Sequence, residues 1–351
     1  MNVAVIILNW NTKDYLRRFL PPLVESVEYF NALSPQTNGD KAEIVVADSA
    51  SADGSVAFVN ESFPDIRTIS FDRNYGFTGG YNRAIEQLAR ECKCDLYILL
   101  NSDIEVGKDW LVPLVDWMKN HPECAACGPK LRNWYRKDQF EYAGAAGGLI
   151  DRFGYPFCRG RIMKKLETDR GQYDTPADVL WVTGAALVVR AEVWRNLGGL
   201  DDRFFAHMEE IDLCWRMQLA GWKVTVVPES TVWHLGGGTL PADSPQKLYL
   251  NYRNNILLLE NNLALTIGRR KAAARIFFRK ILDGAAAVVY LLGFKPACFK
   301  AVIRAHRDAD MLKRQRSQSG SPVNTHIRGL YAGCMIPRAL LGLKIDTEFK
   351  I

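Results

Sequence analysis

Apolar residues fall alternately in short β-branched runs and in helical stripes through the first 130 positions. Val3 to Leu8 is an unbroken apolar run, as in a strand buried on both faces. Between Asp14 and Tyr29, Leu16, Phe19, Leu20, Leu23 and Val27 recur three or four apart, which predicts a helix. The alternation continues with a strand over Glu43 to Ala47, ending at Asp48, and a short helix over Ser55 to Asn60. A strand over Ile66 to Phe71, a helix over Gly80 to Arg90, a strand over Leu96 to Leu100 and a helix over Trp110 to Met118 follow. This order predicts an α/β fold, a mostly parallel, Rossmann-like sheet with helices on both faces.

The pattern then changes. From about Asn133 to Asp178 the chain is rich in Gly, Tyr, Arg and Asp without a period, and irregular loops crossing the sheet face are expected. Order returns at Val179 to Arg190, apolar on both sides of Gly184. Next, Glu209, Glu210 and Asp212 open a helical stretch whose stripe is Leu213, Met217 and Ala220; Gly221 stops it. Val224 to Val227 is a short β-rich run, and Trp233-His234 closes the segment. Taken alone, this is a surface helix with acids favouring its own dipole. Beyond about Leu240 the chain is helical, by turns basic and apolar, with a flexible Ser/Pro/Gly link expected over Ser317 to Thr325. Three units are expected: 1–130 and 131–240 as two halves of one domain, and a helical region over 241–351.

Apolar residues make up 48% of the chain and charged residues 24%, so a sizeable core is expected. The net charge of +6 is uneven: Leu265 to Arg316 holds 13 Lys or Arg against three Asp, leaving the rest of the chain acidic. Long basic amphipathic helices of this kind suit an anionic membrane surface. A nucleic-acid-binding protein would need exposed aromatics among those charges. Phe277, Phe278 and Tyr290 instead sit in apolar runs, which favours core or lipid. The N-terminus lacks the basic segment of a signal peptide, and no run reaches the ~18 apolar residues of a spanning helix. A cytoplasmic protein, peripheral on the membrane, is therefore expected. Cys92/Cys94 and Cys124/Cys127 have the look of a zinc set, but a predicted strand and helix between them favour plain buried thiols.

In open α/β sheets ligands bind at the carboxyl ends of the strands. Here those ends carry Asn9 and Asn11, then Asp48, then Asp72 and Asn74, then Asn101, Ser102 and Asp103. Four polar ends along one edge imply a polar ligand of some length. Asp48 can accept hydrogen bonds from a ribose or a base. The segment after the first strand, Asn9 to Lys13, has no G-x-G-x-x-G, which disfavours NAD. Gly76, Gly79 and Gly80 would bring backbone close to phosphates or a sugar. Asp103 suits Mg or Mn, and adding His234 tilts the choice towards Mn.

The ordered set ILNWN, VVADSASADGS, NYGFTGGYN, LLNSD, WVTGAALVVR, NLGGLDDRFF, EEIDLCWR with AGW, and WHLGG resembles the family 2 glycosyltransferases of GT-A fold. The likeness is to the rhamnosyltransferase-like branch in particular and runs from residue 3 to about 238. It implies inverting transfer from a nucleotide-diphosphate sugar to a glycan or lipid-linked acceptor. It implies a donor site around Asn9, Asn11, Asp48, Asn74, Gly79, Asn82, Asn101, Ser102, Asp103 and Gly184. Asp103 then matches the second acid of the D-x-D metal motif, His234 the histidine completing the metal site, and Glu210 the base. Asn101 stands where the first acid of that motif is expected. Glu210 stands where Asp is commoner, so Glu209 and Asp212 remain candidate bases.

The residues suit that chemistry. Single displacement at an anomeric carbon needs one base for the acceptor proton and positive charge on the leaving diphosphate. A sugar-phosphate nucleotidyltransferase is the nearest other enzyme, but it wants a Gly-rich basic loop after the first strand, and here only Lys13 is present.

Overall fold

A computed structural model describes residues 1–36, 39–236, 244–313, 324 and 326–341. The first half alternates as the hydrophobic pattern predicts: β1 (Asn2–Asn9), α1 (Lys13–Ala32), β2 (Lys41–Asp48), α2 (Ser55–Ser62), β3 (Arg67–Ser70), α3 (Gly76–Glu91), β4 (Leu96–Asn101), β5 (Ile104–Val106), α4 (Leu111–Asn120) and β6 (Cys124–Asn133). Expected boundaries agree to within a few residues. The exception is α3, which starts four residues early because its glycines serve packing rather than loop geometry.

The segment expected to be irregular is partly ordered. It holds β7 (Gly148–Asp151), β8 (Pro156–Cys158), β9 (Arg161–Ile162), β10 (Lys165–Leu166) and β11 (Ala177–Asp178). Strands of two to four residues are too short to show a period, so sequence reading passed over them. After β12 (Ala186–Arg190) come α5 (Ala191–Leu197), a 3-10 turn at Asp202–Phe204, α6 (Glu209–Leu219) and β13 (Lys223–His234). α7 (Pro245–Ile267), α8 (Arg269–Leu292), α9 (Pro296–Leu312), β14 (Leu330–Tyr331) and α10 (Met335–Leu340) complete the chain. Of the expected link at 317–325, only Asn324 lies within the described residues.

The main sheet runs β11-β13-β6-β12-β4-β1-β2-β3, with β5 pairing the end of β13. β4, β1, β2 and β3 are parallel, while β12 enters antiparallel between β4 and β6. The parallel register puts Asn9 beside Asp48 and Leu8 beside Asn101, so the polar strand ends form one edge. The second sheet, β10-β9-β8-β7-β14, is small.

No core boundary falls at 240. Leu257, Leu258, Leu259 and Leu263 of α7 and Ile276 of α8 share one buried cluster with Tyr81, Ala126 and Trp215. Trp215 Nε1 also donates to Thr266 Oγ1 at 3.0 Å. The C-terminal helical region thus begins with α7 packed on the sheet domain.

Candidate active site

The edge of the sheet is cross-braced by the residues that the sequence singles out. Asn9 Nδ2 donates to Asp48 Oδ2 at 2.6 Å and to Ser51 Oγ at 3.1 Å. The Ser51 amide donates to Asp48 Oδ1 at 2.8 Å, and Asp48 is buried. Asn11, at φ +54°, accepts from the Ala52 amide at 2.8 Å. Thr12 Oγ1 reaches Ser102 Oγ at 3.0 Å. Asp53 caps α1 as well as the turn into α2, accepting from the amides of Lys13 and Ser55 at 2.8 and 3.0 Å. Asn9, Asn11, Asp48 and Ser102 thus form one connected floor.

The glycines that follow β3 are closely packed. A Cβ on Gly76 would lie 2.5 Å from the Phe205 ring, and one on Gly80 would lie 2.6 Å from Leu8. A Cβ on Gly79 would meet Tyr75 and Arg83. The free amides of Phe77 and Thr78 go to the Phe205 carbonyl at 2.8 and 3.2 Å. Asn74 accepts from the Gly76 amide, and Asn82 is spent on Leu200 and Asp202. Gly76 and Asn82 therefore hold α3 against the 200–205 segment, while Asn74 secures the turn at the start of the helix.

β5 and β13 bring together Asp103 and His234, 131 positions apart in sequence. Ile104 pairs with His234, and the Leu235 amide donates to the Asp103 carbonyl at 3.0 Å. His234 Nε2 lies 3.2 Å from Asp103 Oδ1, and Nδ1 lies 3.3 Å from Glu141 Oε2. All three residues are buried. Burial opposes a charge on the imidazole, but the two carboxylates more than offset it and lift His234 to about 10. Burial likewise opposes charge on Asp103 and Glu141, yet His234 draws both below their usual range. Sequence reading missed Glu141. It lies in a segment without a motif, and only the fold carries it to the strand edge.

The acidic helix is not a surface element. α6 is buried nearly all round, with α7 across it. The turn before it is strained: Phe205, His207 and Met208 have φ of +64°, +72° and +71°. Such backbone costs about 1–3 kcal/mol per residue and persists only when it is held. α7 does the holding. Arg253 donates to the Phe204 carbonyl at 2.6 Å, and Asn254 Nδ2 reaches the carbonyls of Phe204, Ala206 and His207 at 3.0, 2.7 and 2.7 Å.

The three acids of α6 differ sharply. Asp212 is fully buried, taking Arg216 Nε at 2.7 Å and the amides of Asn261 and Asn262 at 3.0 and 2.8 Å. With both oxygens engaged it works as a brace between α6 and α7. Asp212→Asn strands Arg216 and is expected to cost about 3 kcal/mol of stability. A lowered urea midpoint, with turnover per folded molecule retained, would bear this out.

Glu209 and Glu210 are held less completely: the Oε2 of each is buried without a hydrogen bond, and backbone amides at the helix start reach the rest of the Glu210 carboxyl. Burial and the neighbouring Glu210 push Glu209 well above the carboxylate range, and burial lifts Glu210 to about 7. Glu210 packs over Gly184, where a Cβ would come within 3.3 Å of it. The next residue, Ala185, accepts the amide of Asn101 at 2.9 Å. Glu210 thus stands at the end of β4. The Tyr81 hydroxyl is pushed up first by burial, with the Glu209 and Asp103 carboxyl groups both near enough to add to the effect. Base helix and strand edge therefore converge.

Asp103 and His234 suit a divalent ion. Their ligand atoms, 3.2 Å apart, would be close enough to share one ion. Glu141 would then fix the imidazole from behind, as carboxylates do at metal-bound histidines. A second group of ligand-type residues, Glu43, Cys92 and Cys94, lies at the opposite, amino edge of the sheet. Cys124 and Cys127 lie apart from it, buried in β6.

A family model described as glycosyl transferase family 2 matches residues 4–173. An N-acetylglucosaminyl-diphospho-decaprenol L-rhamnosyltransferase of Mycobacterium tuberculosis is 25% identical over 271 residues, 73% of this chain and 83% of that protein. The rhamnosyltransferase WbbL of Escherichia coli is 22% identical, over 64% of this chain and 80% of that protein. Among solved structures, GalNAc-T7 with UDP, GalNAc and Mn2+ superposes with a TM-score of 0.55 at 16% identity, over 74% of this chain and 48% of that one. The mannosyltransferase PcManGT of Pyrobaculum calidifontis, in complex with GDP-Man and Mn2+, gives 0.51 at 15% identity, over 89% and 87%. At such identities these two structures speak for the fold alone.

Proposed function

The chain belongs to glycosyl transferase family 2, and on that premise we propose that it is an inverting transferase using a nucleotide-diphosphate sugar and a glycan or lipid-linked acceptor. The observation that carries this reading is Glu210: a buried carboxyl at the polar strand edge, one oxygen without a hydrogen bond, raised by burial to about 7. A base is most effective when its pKa lies near the working pH.

In this reading the nucleotide lies along Asn9, Asn11 and Asp48, and the diphosphate lies at Asn101, Ser102 and Asp103. The acceptor stands over Gly184. Glu210 takes the proton of the acceptor hydroxyl as its oxygen bonds the anomeric carbon from the side opposite the leaving group. The bond from that carbon to the diphosphate oxygen breaks, and its electron pair leaves with the diphosphate. One displacement inverts the configuration. Two catalytic carboxylates flanking the bond, as in retaining glycosidases, are not needed. Glu209, which burial and the neighbouring Glu210 hold well above the carboxylate range, is on this reading the protonated neighbour of the base.

Asp103 and His234 would hold a divalent cation, Mn2+ or Mg2+, which when bound supplies positive charge to the leaving diphosphate. Glu141 is a positioning residue for His234. Glu141→Gln is expected to weaken Mn2+ binding roughly 10–100-fold, measured by titration calorimetry without acceptor.

The names of the relatives make L-rhamnose the first donor sugar to test. The basic region at 265–316 belongs on this reading at an anionic membrane surface on the cytoplasmic face, where a lipid-linked acceptor is presented. No helix among the described residues is long and apolar enough to cross a membrane. Titration with uridine-, guanosine- and deoxythymidine-diphosphate sugars, and with oligonucleotides, tests the reading. One donor should bind, with Mn2+ dependence; binding to oligonucleotides alone would overturn it.

A further inference from the structure

α8 is built inside out. Its inner face, against α7 and α9, carries Arg279 and Asp283, both buried, with Ala272, Ile276 and Ala287. Arg279 Nε donates to Asp283 Oδ1 at 2.8 Å, and an Arg279 terminal nitrogen donates to the Phe153 carbonyl at 3.1 Å. His306 Nε2 of α9 lies 3.2 Å from the other Asp283 oxygen. The charges of the middle of the helix thus point into the protein.

The outer face is the reverse. Phe277, Phe278, Ile281, Val288, Val289 and Leu292 are all exposed, Phe277 at 62% and Leu292 at 74%. Their spacing, with Ala274 and Ala285, puts them on one side of the helix. Between Ala272 and Phe294 every exposed position is glycine, alanine or a larger apolar residue. Phe294, just past the helix, is 93% exposed. A contiguous apolar face of this kind on a protein surface marks an interaction site. From Phe277 to Leu292 it runs about 22 Å.

Positive charge borders this stripe. Arg269, Arg270 and Lys271 are exposed at its start, and Lys295 and Lys300 beyond its end. Arg275 and Lys280 lie half-buried along its sides. Apolar residues flanked by cations fit a bilayer boundary, with acyl chains below and anionic headgroups at the rim. A second copy fits less well, because packing two such stripes together would bring basic ends against basic ends.

We propose that α8 lies in the plane of an anionic membrane, its outer stripe among the acyl chains and its basic ends on the headgroups. This deepens the membrane reading above and rests on it, but it changes the physics. Basic residues alone predict attachment that salt abolishes. An inserted apolar stripe predicts attachment that survives salt. α7 packs against both α8 and α6, so a docked α8 would fix the height of Glu210 above a lipid-linked acceptor.

Flotation of the full chain with vesicles of equal parts phosphatidylglycerol and phosphatidylcholine, without donor, tests this. The chain should float at about 0.1 M salt and remain bound at about 1 M. Phe278→Glu combined with Val289→Glu should lower the bound fraction at high salt by roughly tenfold, with circular dichroism and nucleotide affinity unchanged. Loss of binding of the unaltered chain at high salt would overturn insertion. So would equal binding by the double variant, or a chain that does not float but sediments as a dimer broken by those changes. Nucleotide-sugar binding, read without vesicles, fails only if the transferase reading itself fails.

Discussion

Glu210→Gln is expected to lower kcat by roughly two to four powers of ten while nucleotide-sugar affinity stays within about twofold. The amide keeps the shape over Gly184 but cannot take a proton. The pH profile follows from the same residue. Only the carboxylate accepts, and burial lifts Glu210 to about 7. Below that pH the rate should rise with pH, about tenfold per unit, and then level off. That limb should disappear in Glu210→Gln. Glu209→Gln removes a neutral neighbour in this account and should cost much less. If it gave the larger loss with the fold intact, the base would be Glu209.

Asp103→Asn and His234→Ala should each reduce turnover roughly a thousandfold or more. Both remove a ligand from the pair held 3.2 Å apart at the end of β13. A chelator should abolish activity, and added Mn2+ or Mg2+ should restore it. Mn2+ titration of each variant without donor separates lost metal from lost folding. Full turnover in metal-free protein would count decisively against the pair.

Local periodicity made the parallel half of the sheet legible, because each strand and helix there is long enough to show its pattern. The polar strand ends were legible too, since register follows from parallel pairing. Asp103 and His234 were paired by resemblance, and the geometry came only with β5 on β13. Glu141 acts through a long-range contact that no local pattern records. Asp212 looked like its neighbours in sequence, and only the asparagines of α7 reveal it as a brace. Gly76, Gly79 and Gly80 read as a ligand loop because glycine serves close packing and ligand approach equally well. The arrangement of α8 could not be read from its composition. Basic and apolar residues in one helix suggest a basic outer face, yet Arg279 pairs inward with Asp283 and leaves the apolar face outside.

The central claim is best tested by release of free nucleoside diphosphate from a panel of nucleotide-diphosphate sugars, with Mn2+ and lipid-diphosphate acceptors, in the unaltered chain and in Glu210→Gln. The account predicts release from one donor that requires acceptor and metal and falls at least about a hundredfold in the variant. No release from any donor, or equal release by the variant, would contradict it.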